Sequence, residues 1–196
     1  MYRLLGFVVL FFLFSCKKVD KTLPFMGIPA GGTDTARIPA FLVTDQLGRK
    51  VTQKDFDGKI YIADFFFTSC PTICPLQTAN MLTIYKEFKG NDRVRFISFS
   101  IDPRHDSVPV LKKFADDLGV DHDQWRLVTG PKDKIYPLAK AYMSIAQEDE
   151  DAPGGYTHSG YLLLVDGRRH LRGYSDGTKP TSVQEMVGKI KILLSQ

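Results

Sequence analysis

Cysteine is scarce in this chain: three residues in 196, at positions 16, 70 and 74. An odd count with one member inside an N-terminal leader leaves a single pair for the folded part, which excludes a disulfide framework. The pair belongs to a redox motif or to a metal site. Charge of one sign is also lacking. The 26 Lys and Arg against 22 Asp and Glu leave a net charge of +4, with the basic residues scattered among acids. A nucleic-acid footprint needs them clustered on one face, so no nucleic-acid partner is expected. No internal repeat occurs, and the apolar run at residues 4–14 is too short to cross a bilayer comfortably. What remains is ordinary: 43% hydrophobic and 24% charged residues, the makings of one compact domain with a buried core.

The leader, residues 1–15, reads MYRLLGFVVLFFLFS, with one positive charge at Arg3 ahead of an apolar stretch of signal-peptide length. It ends in Leu13-Phe14-Ser15-Cys16, followed by Lys17 and Lys18. That tetrapeptide resembles a bacterial lipobox, in which a small residue precedes the cysteine that becomes lipid-modified. Cys16 is therefore expected to be a lipid attachment point and not a ligand; the alternative is an uncleaved membrane anchor. Both place the rest of the chain outside the cytoplasm, on the periplasmic side of a membrane. Residues 16–38 contain Pro24, Pro29 and glycines without sustained periodicity and read as a flexible tether to a domain at 39–196.

Within that domain, residues 40–45 and 50–52 flank Gly48 as a hairpin. Residues 59–67 are apolar nearly throughout, with aspartate only at Asp64, which suggests a strand covered on both faces, as in a parallel sheet. A helix starts near Pro75, with Leu76, Ala79, Met81, Leu82, Tyr85 and Phe88 as its apolar stripe. Then come a strand at 93–101, a helix capped by Asp106 or Ser107 and running to 118, a strand at 125–128, and a helix at 132–143 disturbed by Pro137. Residues 147–156 read as an acidic, glycine-rich surface loop. A strand at 159–165 turns through Asp166-Gly167 into 169–174, and Ser182 with Glu185 suggests a capping box opening the last helix. This order is that of an α/β, thioredoxin-like domain: a central mixed β-sheet with helices on both faces and an N-terminal β-hairpin.

Cys70 and Cys74 stand four residues apart where the buried strand hands over to a helix. On the first helical turn they would share a face, and the helix N-terminus would lower both thiol pKa values. Such a pair suits a soft metal, Cu(I) in particular, and equally permits a disulfide. A third ligand would complete a metal site. His105 and His122 sit among polar residues and read as solvated, and His170 opens a strand after two arginines and reads as exposed. His158 is different, lying between Gly154-Gly155 and an apolar strand. In this fold that strand neighbours the one carrying the cysteines. Alone, such a histidine is more often structural; beside the cysteine pair it is a candidate ligand, on a loop mobile enough to swing it in and out.

Residues 67–75, FTSCPTICP, resemble the F-T-x-C-P-x-x-C-P block of the Sco family. Residues 45–59 resemble its opening hairpin, Ser100-Ile101-Asp102-Pro103 and Leu127-Val128-Thr129-Gly130 its next two segments, and Tyr156-Thr157-His158-Ser159 its histidine motif. The resemblance implies copper, Cu(I) or Cu(II), held by Cys70, Cys74 and His158 in a membrane-tethered extracytoplasmic protein. It implies delivery of that copper to the dinuclear site of a cytochrome c oxidase subunit, with a periplasmic copper donor. An alternative role in the family is thiol–disulfide reduction, with Cys70 and Cys74 keeping the oxidase's ligand cysteines reduced. Two departures stand out: Thr72, where many members carry an acid, and the acidic run Glu148 to Asp151.

Overall fold

The computed structural model describes residues 22–27 and 37–196. The leader and Cys16 lie outside the described residues.

The N-terminal hairpin joins β1 (Leu42–Asp45) to β2 (Lys50–Thr52). Gly48 supplies the positive φ of 77° that its turn demands, and the Asp45 carboxylate accepts the N–H groups of Leu47 and Arg49. A 3-10 turn (Gln53–Phe56) leads into β3 (Ile60–Phe66), every residue of which is buried. After it come α1 (Cys74–Phe88), β4 (Val94–Ser100), α2 (Val108–Leu118), β5 (Trp125–Thr129) and α3 (Lys132–Ala141). The chain continues through β6 (Ala146–Glu148), β7 (Tyr156–His158), β8 (Tyr161–Val165), β9 (Leu171–Asp176) and α4 (Pro180–Leu194).

Seven strands form one sheet in the order β2-β1-β5-β4-β3-β8-β9. β3, β4 and β5 run parallel at its centre, and β1, β8 and β9 pair antiparallel with their neighbours. Period-two alternation divides the core. Phe96 and Trp125 meet Tyr85 of α1, and Phe66 meets Phe114 of α2. On the other face Phe65 and Phe99 meet Tyr142 at the end of α3, whose hydroxyl bonds that of Tyr61 at 2.8 Å. The expected mixed sheet between helices is what forms.

Four local expectations are corrected. Residues 147–156 are not simply a loop: β6 and β7 pair antiparallel as a separate two-stranded sheet, with Ala146 opposite His158. The last helix begins at Pro180, whose missing N–H costs nothing in a first turn, so Ser182 and Glu185 lie inside it and make no capping box. On α1 the inward stripe is Cys74, Gln77, Thr78, Met81, Ile84, Tyr85 and Phe88, which leaves Leu76 and Ala79 exposed. His170 is buried, because residues 22–27 cover it.

Those residues, part of the expected tether, lie against the start of β9. The Met26 N–H donates to the Leu171 carbonyl. The Arg172 guanidinium donates to the carbonyls of Leu23 and Pro24 and to the Asp166 carboxylate, and lies 4.2 Å from the Phe25 ring. The Phe25 ring in turn meets His170 edge-on at 5.1 Å.

Candidate metal centre

β3 delivers the chain to one end of the sheet, and a tight turn between it and α1 carries the first cysteine. That turn is pinned from β4 and its following loop. The Thr68 N–H and hydroxyl both donate to the Asp106 carboxylate, which also accepts the Ser100 hydroxyl. The Cys70 N–H donates back to the Phe67 carbonyl at 3.2 Å. Cys70 therefore precedes α1, and only Cys74 lies on it, as its first residue. The two sulfurs converge through the turn and not through one helical face.

The third group comes from β7. His158 Nε2 lies 3.2 Å from Cys74 Sγ and 3.9 Å from Cys70 Sγ. The three ligand atoms fall within 4.8 Å of one another. All three residues are buried, at 7% exposure for Cys70, 4% for Cys74 and 9% for His158, and both thiols are free. The separate β6–β7 hairpin is what brings the imidazole in. Its tip rests on the cysteine turn at Gly154, whose φ is +83° and where a Cβ would come within 2.9 Å of the Phe67 ring and 3.1 Å of Pro71 Cδ. Glycine is required there twice, for the backbone angle and for the close approach. Phe67 also meets the His158 ring edge-on at 5.9 Å and Tyr156 at 5.1 Å.

On its outer side the hairpin is tied by polar contacts. The Tyr156 hydroxyl donates to Asp102 at 2.8 Å, and Arg104 donates to the Tyr156 oxygen and to Glu148. Lys132 also pairs with Glu148. Within the hairpin, the Thr157 hydroxyl donates to Asp149. The Gly154-Gly155 loop thus sits in a defined place.

Electrostatics separate the two thiols. Burial pushes Cys70 up, but hydrogen bonds from the Thr72 and Cys74 backbone and side chains outweigh it, and the thiol ends below its ordinary pKa. Cys74 is raised, first by burial and then by the adjacent Cys70. The expected lowering of both thiols is found for Cys70 alone, and those hydrogen bonds are its cause. His158 is lowered to about 4 by burial, partly offset by the Phe65 carbonyl, so its imidazole is neutral near pH 7 and Nε2 has a lone pair to give. Two sulfurs and one neutral nitrogen, dry and converging, form a set that soft metals prefer.

The SCO1/SenC family model matches residues 30–195, a span that takes in both cysteines and His158. The chain belongs to the SCO1/SenC family. The SCO1 protein homolog of Bacillus subtilis is 32% identical over 157 residues, 79% of this chain and 81% of that one. Some mitochondrial relatives are longer, and the chain spans 41% of an Arabidopsis thaliana SCO1 homolog. A solved SCO1/SenC family lipoprotein of Bacillus anthracis shares the fold at a TM-score of 0.74 and 32% identity, over 81% of this chain and 95% of that one. BsSco, described as carrying a disulfide switch and as a member of the Sco family of cytochrome c oxidase assembly proteins, matches at a TM-score of 0.70 and 30% identity, over 80% and 92% of the two chains.

In this Sco domain the other histidines stay apart from the sulfur cluster. His105 is exposed beside the Asp102 loop, His122 Nε2 lies 3.1 Å from the Asp116 carboxylate, and His170 is at the far end of the sheet. Sequence reasoning missed the ties that hold the site. The sequence marks Asp106 only as a candidate helix cap, yet no side-chain cap bond forms there and its carboxylate serves the cysteine turn. Asp64, the one acid in the apolar run, is buried on the α1 side of the sheet, in register with Ser98. Burial raises its carboxyl to about 7, partly offset by a hydrogen bond from Ser98.

Proposed function

We propose that this chain is a copper metallochaperone, tethered outside the cytoplasm by lipid on Cys16, that carries copper on Cys70, Cys74 and His158 to the dinuclear site of a cytochrome c oxidase subunit. The observation that carries the reading is the convergence of Cys70 Sγ, Cys74 Sγ and His158 Nε2 within 4.8 Å in a buried setting. Thiolates with a neutral imidazole favour Cu(I) over harder ions. The description of BsSco as an oxidase assembly protein supports the target, and that of the Bacillus anthracis relative as a lipoprotein supports the anchor. Loading releases thiol protons, chiefly from the raised Cys74, so copper affinity rises with pH. The purified chain should take up about one copper, and Cys70→Ser or Cys74→Ser should abolish stoichiometric uptake; uptake that survives both changes ends the reading.

A second reading, thiol–disulfide reductase, is favoured by the unequal thiols. Cys70, with its lowered pKa, would attack a partner disulfide; Cys74 would then displace the mixed disulfide, leaving Cys70–Cys74 oxidised and two partner thiols reduced. The disulfide switch described for BsSco supports it. His158→Ala separates the two readings: copper retention should drop on the order of 100-fold, while thiol exchange continues. Equal loss of both, or of neither, contradicts the division of roles.

A further inference from the structure

The end of the sheet away from the sulfurs carries a basic surface. There the Asp166-Gly167 turn between β8 and β9 packs directly on the Asp57-Gly58 turn that opens β3. The Gly58 N–H donates to the Gly167 carbonyl at 3.0 Å, and a Cβ on Gly167 would come within 2.8 Å of the Gly58 backbone. Together the two turns present Lys54, Lys59, Arg168 and Arg169 against the acids Asp55 and Asp57. Asp55 is occupied by the Thr52 N–H and hydroxyl, and Asp166 by Arg172 and the N–H groups of Arg168 and His170. Among the described residues none of the four basic side chains has an acidic partner. Elsewhere Lys112, Lys113, Lys132, Lys179 and Lys191 are each paired. Arg169 also has a φ of +71°, a left-handed angle that glycine or asparagine adopts with less strain, yet arginine stands there.

Beside these arginines, residues 22–27 hold out an aromatic ring. Phe25 has the Arg172 guanidinium 4.2 Å beneath it and His170 edge-on, and at 52% it is the only exposed phenylalanine among the described residues. In the sequence the chain leads back from there through Lys21, Lys18 and Lys17 to Cys16 and the apolar run at 4–14. A basic face with an aromatic ring at its rim, placed where the chain leaves for its anchor, suits anionic lipid headgroups. Guanidinium forks pair with phosphate oxygens, and aromatic rings settle at headgroup level. An acidic protein partner accounts for the charges but not for their gathering where the tether departs. Resting on the membrane-anchor reading above, we propose that this face lies on an anionic bilayer surface, with Arg168 and Arg169 on lipid phosphates and Phe25 among the headgroups. Each basic group brought to such a surface strengthens the contact about fivefold. The contact leaves the metal centre, at the other end of β3, uncovered.

The test uses the full chain carrying Phe25→Trp, reconstituted into phosphatidylcholine vesicles with or without phosphatidylglycerol, the lipids brominated near the headgroup. Trp125 is buried at 1% exposure and supplies a shielded background. The emission added at position 25 should be quenched about fivefold more strongly in the anionic vesicles than in the neutral ones. High salt should abolish the difference, and so should Arg168→Glu combined with Arg169→Glu. Arg169→Gly, which suits the turn, should reduce it without loss of thermal stability. Equal quenching in both vesicles overturns the proposal, because the tether alone then brings the ring to the lipid. No quenching in anionic vesicles overturns the lipid as occupant and gives the basic face to an acidic protein surface. A difference that survives both arginine changes overturns the assignment to Arg168 and Arg169. Flotation with neutral vesicles tests the anchor separately. A chain that stays behind there loses the anchor reading, and the face then stands or falls on flotation with the anionic ones.

Discussion

The two halves of the metal centre are built to different standards. The cysteine half hangs from β3, an interior strand bonded to β4 and β8 and buried along its whole length, with its turn pinned by the Asp106 carboxylate. The histidine half rides on a hairpin of two three-residue strands outside the main sheet. That hairpin is held by one close glycine contact, one buried hydroxyl–carboxylate bond, and ion pairs to Arg104 and Lys132 near solvent. Exposed ion pairs contribute little each, about 1 kcal/mol at most. The sulfurs are thus a fixed feature of the domain, whereas the imidazole is secured by a few separable contacts. The proposed carrier role would use this asymmetry: two permanent ligands to keep hold of the metal, and one that can be withdrawn at modest cost.

Three substitutions break or sharpen the contrast, in descending order of effect. Gly154→Val attacks the histidine half alone. It sets a branched side chain against Phe67 and Pro71 at a φ of +83°, and backbone strain for such a residue is about 1–2 kcal/mol or more before the clash is counted. Copper affinity should fall towards that of His158→Ala while thermal stability changes by only a few degrees. A large loss of stability instead would show the hairpin to be part of the core. Asp64→Asn probes the cysteine half through its buried acid. The folded carboxyl titrates at about 7 against 3.8 unfolded, so its stabilising effect is complete below pH 4 and is lost as pH rises through 7. The asparagine variant should therefore melt higher than wild type at pH 8.5, with the advantage shrinking as pH falls and vanishing only near pH 4. Each kcal/mol recovered is worth roughly 2–4 °C in a domain of this size. Melting curves that track each other across that range would contradict the assignment. Tyr156→Phe is the mildest. It removes the hydroxyl donated to Asp102 and a contact to Arg104, a loss of about 1 kcal/mol. Copper release to a chelator should quicken about fivefold at unchanged stoichiometry, and an unaltered rate would remove Tyr156 from the latch.

The cysteine half was readable from the chain because its signals are strong and local. An unbroken apolar run means a strand covered on both faces, and two thiols and two prolines mark its exit. The structure brings His158 to the two sulfurs as the sequence suggests, but on a hairpin where a loop is expected. Residues 147–156 have no apolar alternation, so nothing local announces β6; the pairing is made by backbone groups opposite Tyr156 and Thr157. The burial of His170 depends on residues 22–27, nearly 150 positions away, which no local period encodes. On α1, the expected stripe put Leu76 inward, but the inward face there is taken by Cys74, Gln77 and Thr78. The Gln77 amide reaches the Tyr161 carbonyl, a bond with a strand that arrives 84 residues later. Chemistry that depends on which residues meet across the sheet is visible only once the sheet is assembled.

The Arg172 clamp on residues 22–27 fixes a length. Between the lipid proposed at Cys16 and the first docked residue, Leu23, lie seven chain steps, at most about 25 Å of reach. The clamp grips at the start of β9, beside the end of β8 that pairs with Tyr61. The sulfurs are at the opposite end of β3, a strand's length, on the order of 20 Å, further out. With the proposed lipid in place, such a leash would hold the domain close to the bilayer and turn its sulfur-bearing pole away from it. On that reading a recipient would be met at a set height above the lipid, and lengthening the chain between Cys16 and Leu23 would change that height while leaving the metal centre untouched.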